Sequence, residues 1–281
     1  MSGFPIRGAT ALVTGAAGGI GQAVSLSLAS RGANLALLDR RLGALKETAA
    51  AAEARGARVS LHEVDMADAA AVEATPEAVR AAQGRLDILV NNAGVALGGA
   101  LDQVSMEDVD WVLDINLRGL IRMTKACAPL LKAAPEARIV NISSIFGIVT
   151  PAGQAAYCAS KFAVRGFSGA LREELKGTKI GVTVIHPGGV ATEIAVSARM
   201  GAGVSNAEVV EAQKRAKALL RMPPAQAGEI IVRAIERRRA RRLVGTDAQI
   251  LGIVERLFPV NHMAIAERLF GVSFAEKSKA S

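Results

Sequence analysis

Thr10-Ala11-Leu12-Val13-Thr14-Gly15-Ala16-Ala17-Gly18-Gly19-Ile20-Gly21 is the stretch that decides the fold of this chain. It begins as a short apolar run, suited to a buried strand. Glycines then recur as Gly-x3-Gly-x-Gly at Gly15, Gly19 and Gly21. Beyond them Ile20, Val24, Leu26, Leu28 and Ala29 fit an amphipathic helix that ends at Arg31-Gly32. A second apolar run over residues 35–38 closes at Asp39, 24 residues after Gly15. Strand, glycine loop, helix, strand is the unit that opens a dinucleotide site. Glycines let backbone amides approach a pyrophosphate, and the helix N-terminus faces its charge. A carboxylate at the position of Asp39 can accept hydrogen bonds from both hydroxyls of an adenosine ribose, and it repels a 2′-phosphate. Arg40 and Arg41 follow directly and could instead welcome that phosphate. Gly18, just before the second loop glycine, supplies no basic side chain, so the reading favours NAD, with NADP as the alternative.

Outward from this unit the alternation continues. A helix is expected over 42–55, then a strand over 58–64 ending at Asp65, which is placed to meet an adenine edge or else to cap the next helix. That helix runs to about residue 83, and a strand over 86–90 is closed by Asn91-Asn92-Ala93-Gly94. Residues 106–131 read as one long helix, or two stacked ones, with Asn116 in the middle. Asparagine is mildly unfavourable there and so asks for a reason. A strand over 137–142 leads to Ser143-Ser144, and a strand over 182–185 leads to His186-Pro187-Gly188-Gly189-Val190-Ala191-Thr192. The expected fold is α/β: a single-domain, doubly wound parallel sheet of about seven strands with helices on both faces. Residues 193–224 loosen around a helix at 206–220 and read as a lid. A helix over 225–239 buries Ile230, Ile231, Ala234 and Ile235, and Leu243-Val244 is a last strand. The expected division is a catalytic domain over 1–246 and a helical C-terminal extension over 247–281. Ile250, Leu251, Ile253, Val254, Leu257 and Phe258 give that extension one apolar face, and Ile265, Leu269 and Phe270 give it a second patch.

Between the fifth and sixth strands lies Tyr157-Cys158-Ala159-Ser160-Lys161, with Tyr157 the one tyrosine in the chain. Residues four apart share a helix face. A nearby ammonium favours the phenolate, so Lys161 is expected to lower the pKa of Tyr157 toward the range a general acid–base needs.

Composition narrows the function classes. Two cysteines make no disulfide framework and suit a cytoplasmic protein. Three histidines lack ligand spacing, so no metal site is expected. No leader or membrane span is read. The net charge of +8 is concentrated at Arg237, Arg238, Arg239, Arg241 and Arg242. These arginines lack interleaved aromatics and a reading module, which argues against nucleic acid. The tail's apolar face packs on its own domain or a twin subunit. The other reading is that it borders an apolar substrate mouth, or that 237–274 rests peripherally on a membrane.

With these residues in view the chain resembles the classical short-chain dehydrogenase/reductase family, over about residues 7–246. The resemblance rests on the loop over 14–21, Asn91-Asn92-Ala93-Gly94, Asn116, Ser144 thirteen residues before Tyr157, Lys161, and Pro187-Gly188 with Thr192. It implies a Rossmann-type fold and hydride transfer with NAD(P). Asn116, Ser144, Tyr157 and Lys161 would be catalytic. Tyr157 would be the acid–base, Lys161 would bind the nicotinamide ribose, Ser144 would hold the substrate oxygen, and Asn116 a relay water. Gly15, Gly19, Ile20, Gly21, Asp39, Arg40, Asp65, Asn92, Ala93, Gly94, Pro187, Gly188, Val190 and Thr192 would line the cofactor, together with Tyr157 and Lys161. Ser143 is the rival to Ser144, one residue too far from Tyr157, and Cys158 is expected to pack. The expected substrate is a hydrophobic secondary alcohol or ketone: steroid-like, retinoid-like or long-chain. An NADPH-dependent 3-oxoacyl-thioester reductase and a non-catalytic dinucleotide-binding redox sensor are the competing functions. A homodimer or homotetramer joined through the long helices is expected.

Overall fold

The computed structural model describes residues 3–270. In chain order its elements are β1 (Thr10–Thr14), α1 (Gly19–Ala29), β2 (Asn34–Asp39), α2 (Leu42–Glu53), β3 (Val59–Glu63), α3 (Ala69–Gln83), β4 (Ile88–Asn91) and β5 (Leu97–Gly98). There follow α4 (Met106–Leu113), α5 (Leu120–Ala133), β6 (Ala137–Ile142), α6 (Ala155–Glu174), β7 (Ile180–Pro187) and β8 (Arg199–Met200). The chain continues through α7 (Asn206–Leu219), α8 (Pro224–Glu236), β9 (Arg241–Val244), α9 (Thr246–Leu257) and α10 (His262–Phe270). Residues 271–281 of the expected extension lie outside the described residues, as does the end of the 237–274 segment.

Seven strands form one parallel sheet in the order β3-β2-β1-β4-β6-β7-β9. The chain builds outward from β1 to β3, crosses back to β4, and builds outward the other way. This leaves a crevice at the carboxyl ends of β1 and β4. Side chains alternate across each strand. Val13, Leu35, Leu37 and Val90 face a core shared with Val24 and Leu28 of α1 and Ile231 of α8. Leu12, Leu38, Leu89 and Ile139 face the opposite core, with Val72 of α3 and Met123 and Leu131 of α5. Both faces are covered, so the strands read as near-continuous apolar runs. Between α1 and α8 the backbones approach so closely that a Cβ on Gly228 would stand 2.6 Å from the Ala23 carbonyl carbon. Arg31 ties these helices from the rim, reaching Glu229 at 2.7 Å and Glu236 at 2.8 Å.

The long helix of residues 106–133 is continuous but not uniform. Residues Asp114–Gly119 widen into a π-helical turn, and Asn116 sits inside it. A π-turn inside an α-helix commonly marks a functional site. Two short features were not legible in the sequence. β5 and β8 pair in parallel, joining residues 199–200 to the loop after β4. Arg199 of β8 lies 3.8 Å over the ring of Trp111 and pairs with Asp108 at 3.1 Å. Among the described residues the α9–α10 extension packs by one side. Ala248, Leu251 and Ala266 are buried against Ile145, Ile148 and Val149, whereas Ile253, Leu257 and Leu269 remain exposed. No helix among the described residues is long and apolar enough to cross a membrane.

Candidate active site

A cleft of about 990 Å³ opens at the carboxyl ends of the strands. Its wall takes in every residue expected at the site except Gly21 and Asn116. Those two lie one layer behind, and each shapes a loop that does line the cleft.

At one end is the glycine loop. Gly15 and Gly19 have φ of +66° and +55°, a region that favours glycine. A Cβ on Gly21 would stand 2.1 Å from the Gly15 carbonyl oxygen, and one on Gly15 would stand 2.8 Å from Ala93 Cα. The loop is therefore clamped between the start of α1 and residues 92–94. Asn92, expected to touch a cofactor, spends its amide on this clamp by donating to the carbonyls of Thr14 and Gly15. Thr14 completes it, its Oγ1 accepting from the backbone N–H of Asn92 and Ala93. Asp39 ends β2 facing the loop. Its Oδ2 accepts from Ala17 N at 3.2 Å and its Oδ1 from Arg41 N at 3.0 Å. The Arg41 guanidinium reaches back to Asp39 at 3.5 Å and across to Glu193 at 3.7 Å. Asp65 lines the cleft and accepts from Ala67 N. The capping reading for Asp65 is corrected: Asp68 caps α3, accepting from Ala71 N, because the helix starts a turn later.

At the other end α6 presents Tyr157 and Lys161, both buried. Lys161 Nζ stands 5.7 Å from the phenol ring centroid and donates to the Ile142 carbonyl at 3.3 Å. The expectation of a depressed phenol pKa is reversed. Burial pushes Tyr157 up to about 12, with the hydrogen bond to Ser144 pulling the other way. Burial also brings Lys161 down to about 8. Desolvation disfavours each charged form and is the leading cause of both shifts.

The two serines separate cleanly. Ser143 Oγ donates to the Lys161 carbonyl at 2.8 Å and is spent, whereas the Ser144 side chain faces Tyr157. Ser144 is steadied from behind by His186. That ring is fully buried, burial pushes its pKa down to about 4, and its Nδ1 lies 3.0 Å from the Ser144 carbonyl. A carbonyl only accepts, so Nδ1 carries the proton. Asn116 answers the question of its mid-helix position. Its amide accepts from Val95 N at 2.8 Å and donates to Val95 O at 2.9 Å and Ser160 Oγ at 3.1 Å. It thus pins Gly94-Val95 to α6; a Cβ on Gly94 would sit 3.3 Å from Lys161 Nζ. Cys158 is buried near the Val149 carbonyl, in keeping with packing.

The loop after β7 closes the cleft between these ends. Val190 bridges Met222, and the methyl of Thr192 would be 3.1 Å from a Cβ on Gly19.

The sequence matches the family model described as short chain dehydrogenase over residues 9–202. The chain belongs to the short-chain dehydrogenase family. Among curated relatives of this short-chain dehydrogenase is SadH of Mycobacterium tuberculosis, a protein named for oxidoreductase activity. It is 38% identical over 259 residues, covering 92% of each chain. A solved short-chain dehydrogenase/reductase from Burkholderia phymatum, in complex with NAD, superposes with a TM-score of 0.81 at 27% identity. That match covers 97% of this chain and 98% of that one. A metagenomic short-chain oxidoreductase in complex with NADP matches with a TM-score of 0.63 at 36% identity, over 66% and 85% of the two chains.

Reading the dehydrogenase's sequence alone missed four residues of the site. Thr14 and His186 act through backbone partners distant in sequence. Gln154, one turn before Tyr157, lines the cleft, as does Asp247 at the start of α9. A glutamine three residues before the tyrosine was a usable signal; nothing local marked Asp247.

Proposed function

We propose that this short-chain dehydrogenase uses NAD(H) to interconvert a hydrophobic secondary alcohol and its ketone. The observation that carries the reading is the convergence of Ser144, Tyr157 and Lys161 on one cleft whose far end is a glycine loop beside Asp39. The cradle fits a dinucleotide: Gly15, Gly18 and Gly19 line the cleft without side chains, and α1 points its N-terminus there. When bound, the nicotinamide supplies the carbon that accepts or gives a hydride. Tyr157 then takes a proton from, or returns it to, the substrate oxygen. As it stands, the buried phenol is a proton donor. A positive charge beside it, from Lys161 in its ammonium form and from an oxidised nicotinamide, is what draws its pKa down. A lysine near 8 exchanges protons with solvent around neutrality, which suits it to reloading the phenol. Ser144 donates to the substrate oxygen where charge develops. Asn116 holds the Gly94-Val95 wall beside Lys161, and a relay water would meet its remaining Oδ1 lone pair. Pro187, Gly188, Val190 and Thr192 would hold the nicotinamide end.

The preference for NAD is supported by Asp39. Its carboxylate faces the loop, and it already engages Arg41, the side chain that could welcome a 2′-phosphate. In the wild type NAD is expected to bind more tightly than NADP. Asp39→Ala is expected to cost NAD about tenfold in affinity, as loss of hydrogen bonds to a charged acceptor does, while NADP gains. Calorimetry with both dinucleotides checks this. Tighter NADP binding by the wild type would transfer the selecting role to Arg40 and Arg41.

The substrate class is supported by the walls. Trp111 and Phe146 pack against Tyr157, and Leu219, Leu251 and Phe270 add apolar wall to the same cleft, with Gln154 among its polar lining. The experiment is a spectrophotometric screen of NAD and NADP against apolar secondary alcohols and ketones, small polyols and acyl thioesters. Turnover is expected with the apolar alcohols. Activity confined to either of the other two groups rejects the class. The same reading includes a homodimer or homotetramer assembled through α4–α5 and α6.

A further inference from the structure

Asp247 belongs to the extension by sequence but to the cleft by position. It lies in the first turn of α9, where a helix N-terminus favours negative charge. Its Oδ2 accepts from Gly189 N at 2.6 Å. Three glycines from two loops are packed around this one carboxylate. A Cβ on Gly188 would stand 2.2 Å from Oδ2, one on Gly245 2.2 Å from Oδ1, and one on Gly189 3.4 Å from Oδ2. Gly245 has φ of +108°, which lets the chain turn from β9 straight into α9 and brings the acid into place. Gly188 is in turn held by its N–H to the Val244 carbonyl at 2.8 Å. The Gly188-Gly189 backbone is therefore fixed by the end of β9 and the start of α9 together.

The second oxygen, Oδ1, accepts no hydrogen bond among the described residues, and no lysine or arginine there pairs with Asp247. Asp247 lines the cleft beside Gly188 and Gly189. A carboxylate at a cleft wall that is paired with no cationic side chain lowers the free energy of a cation coming close to it. The oxidised and reduced nicotinamide dinucleotides differ by one positive charge, carried on the ring.

We infer that Asp247 is a positioning and selectivity residue: it holds the Gly188-Gly189 loop and favours the oxidised dinucleotide over the reduced one. This rests on the reading of the cleft as a nicotinamide dinucleotide site. The two functions separate by substitution. Asp247→Asn keeps an acceptor for Gly189 N–H and removes the charge. Asp247→Glu keeps the charge. Asp247→Ala removes both.

The test is equilibrium binding of NAD+ and NADH, followed by calorimetry or by fluorescence of Trp111, the one tryptophan. Thermal midpoints of each variant are recorded alongside. Asp247→Asn is expected to weaken NAD+ by about fivefold and leave NADH unchanged, the size of effect one partly solvated charge exerts on another. Asp247→Glu is expected to retain the wild-type ratio of the two affinities, and Asp247→Ala to weaken both dinucleotides. An NAD+ to NADH ratio unchanged in Asp247→Asn overturns the inference while leaving the dinucleotide reading intact. So does a ratio lost in Asp247→Glu. A wild type that binds neither dinucleotide overturns both.

Discussion

Tyr157→Phe is expected to lower kcat/KM by about a hundredfold to ten-thousandfold, the range a positioned general acid–base contributes. Dinucleotide affinity should be unchanged. The ring stays buried against Phe146, whose centroid lies 6.2 Å away, so packing survives and only the hydroxyl is lost. Steady-state oxidation at the wild-type rate would remove the assignment. The same variant isolates the phenol spectroscopically, because Tyr157 is the sole tyrosine. In the wild type without dinucleotide, phenolate absorbance should appear with a midpoint of about 12. An unfolded chain gives about 10. The folded value is the raised one, so the native state keeps this proton while the unfolded state releases it. The stabilising contribution is whole below about pH 10 and falls as pH rises toward 12. A midpoint near 10 in the folded protein would mean a solvated phenol. Adding NAD+ should move the midpoint down, since a positive charge beside the ring favours phenolate.

Gly21→Ala is expected to be strongly damaging for so small a substitution. Its Cβ would meet the Gly15 carbonyl oxygen at 2.1 Å, the carbonyl carbon at 2.8 Å and Asn92 Nδ2 at 2.6 Å. Two of these are backbone atoms of the loop that would cradle the pyrophosphate, so the loop itself must move. Overpacking of this kind costs about 1–3 kcal/mol, and here the displaced atoms also form the binding surface. Urea unfolding should report the stability loss, and calorimetry should find NAD binding weakened by more than about tenfold. Gly43→Ala is the control. It lies in α2 with nothing within 4 Å of the added carbon, and is expected to be neutral or slightly stabilising. Equal behaviour of the two variants would sink the argument that the clamp at Gly21 shapes the site.

The difference between these two glycines marks how far the sequence could be read. The spacing of Gly15, Gly19 and Gly21 before an amphipathic run announced a strand–loop–helix unit, because only glycine permits that turn. The apolar runs closing at Asp39, Asn91, Ile142 and Ile185 announced parallel strands buried on both faces, since such strands carry few polar residues. Tyr157 and Lys161 announced a shared helix face. These are properties of local periodicity and backbone sterics, which a chain carries wherever it goes.

Electrostatic balance was not local. Whether Lys161 or burial governs the phenol depends on how many atoms from β5, α4 and Phe146 exclude water around it, and that number exists only once the elements are packed. The use of Asn116 was hidden for a similar reason. Its partners Val95 and Ser160 come from a different loop and a different helix. Asp247 was hidden most completely. By sequence alone it opens a tail, but the turn at Gly245 places it against Gly188 and Gly189, 58 residues away from the latter along the chain. Sequence by itself determined the parallel α/β architecture and the residue types of the site. Tertiary structure alone decided which of those groups are charged, which are spent on holding neighbours, and which face the cleft, because desolvation and hydrogen-bond pairing are set by contacts between distant segments.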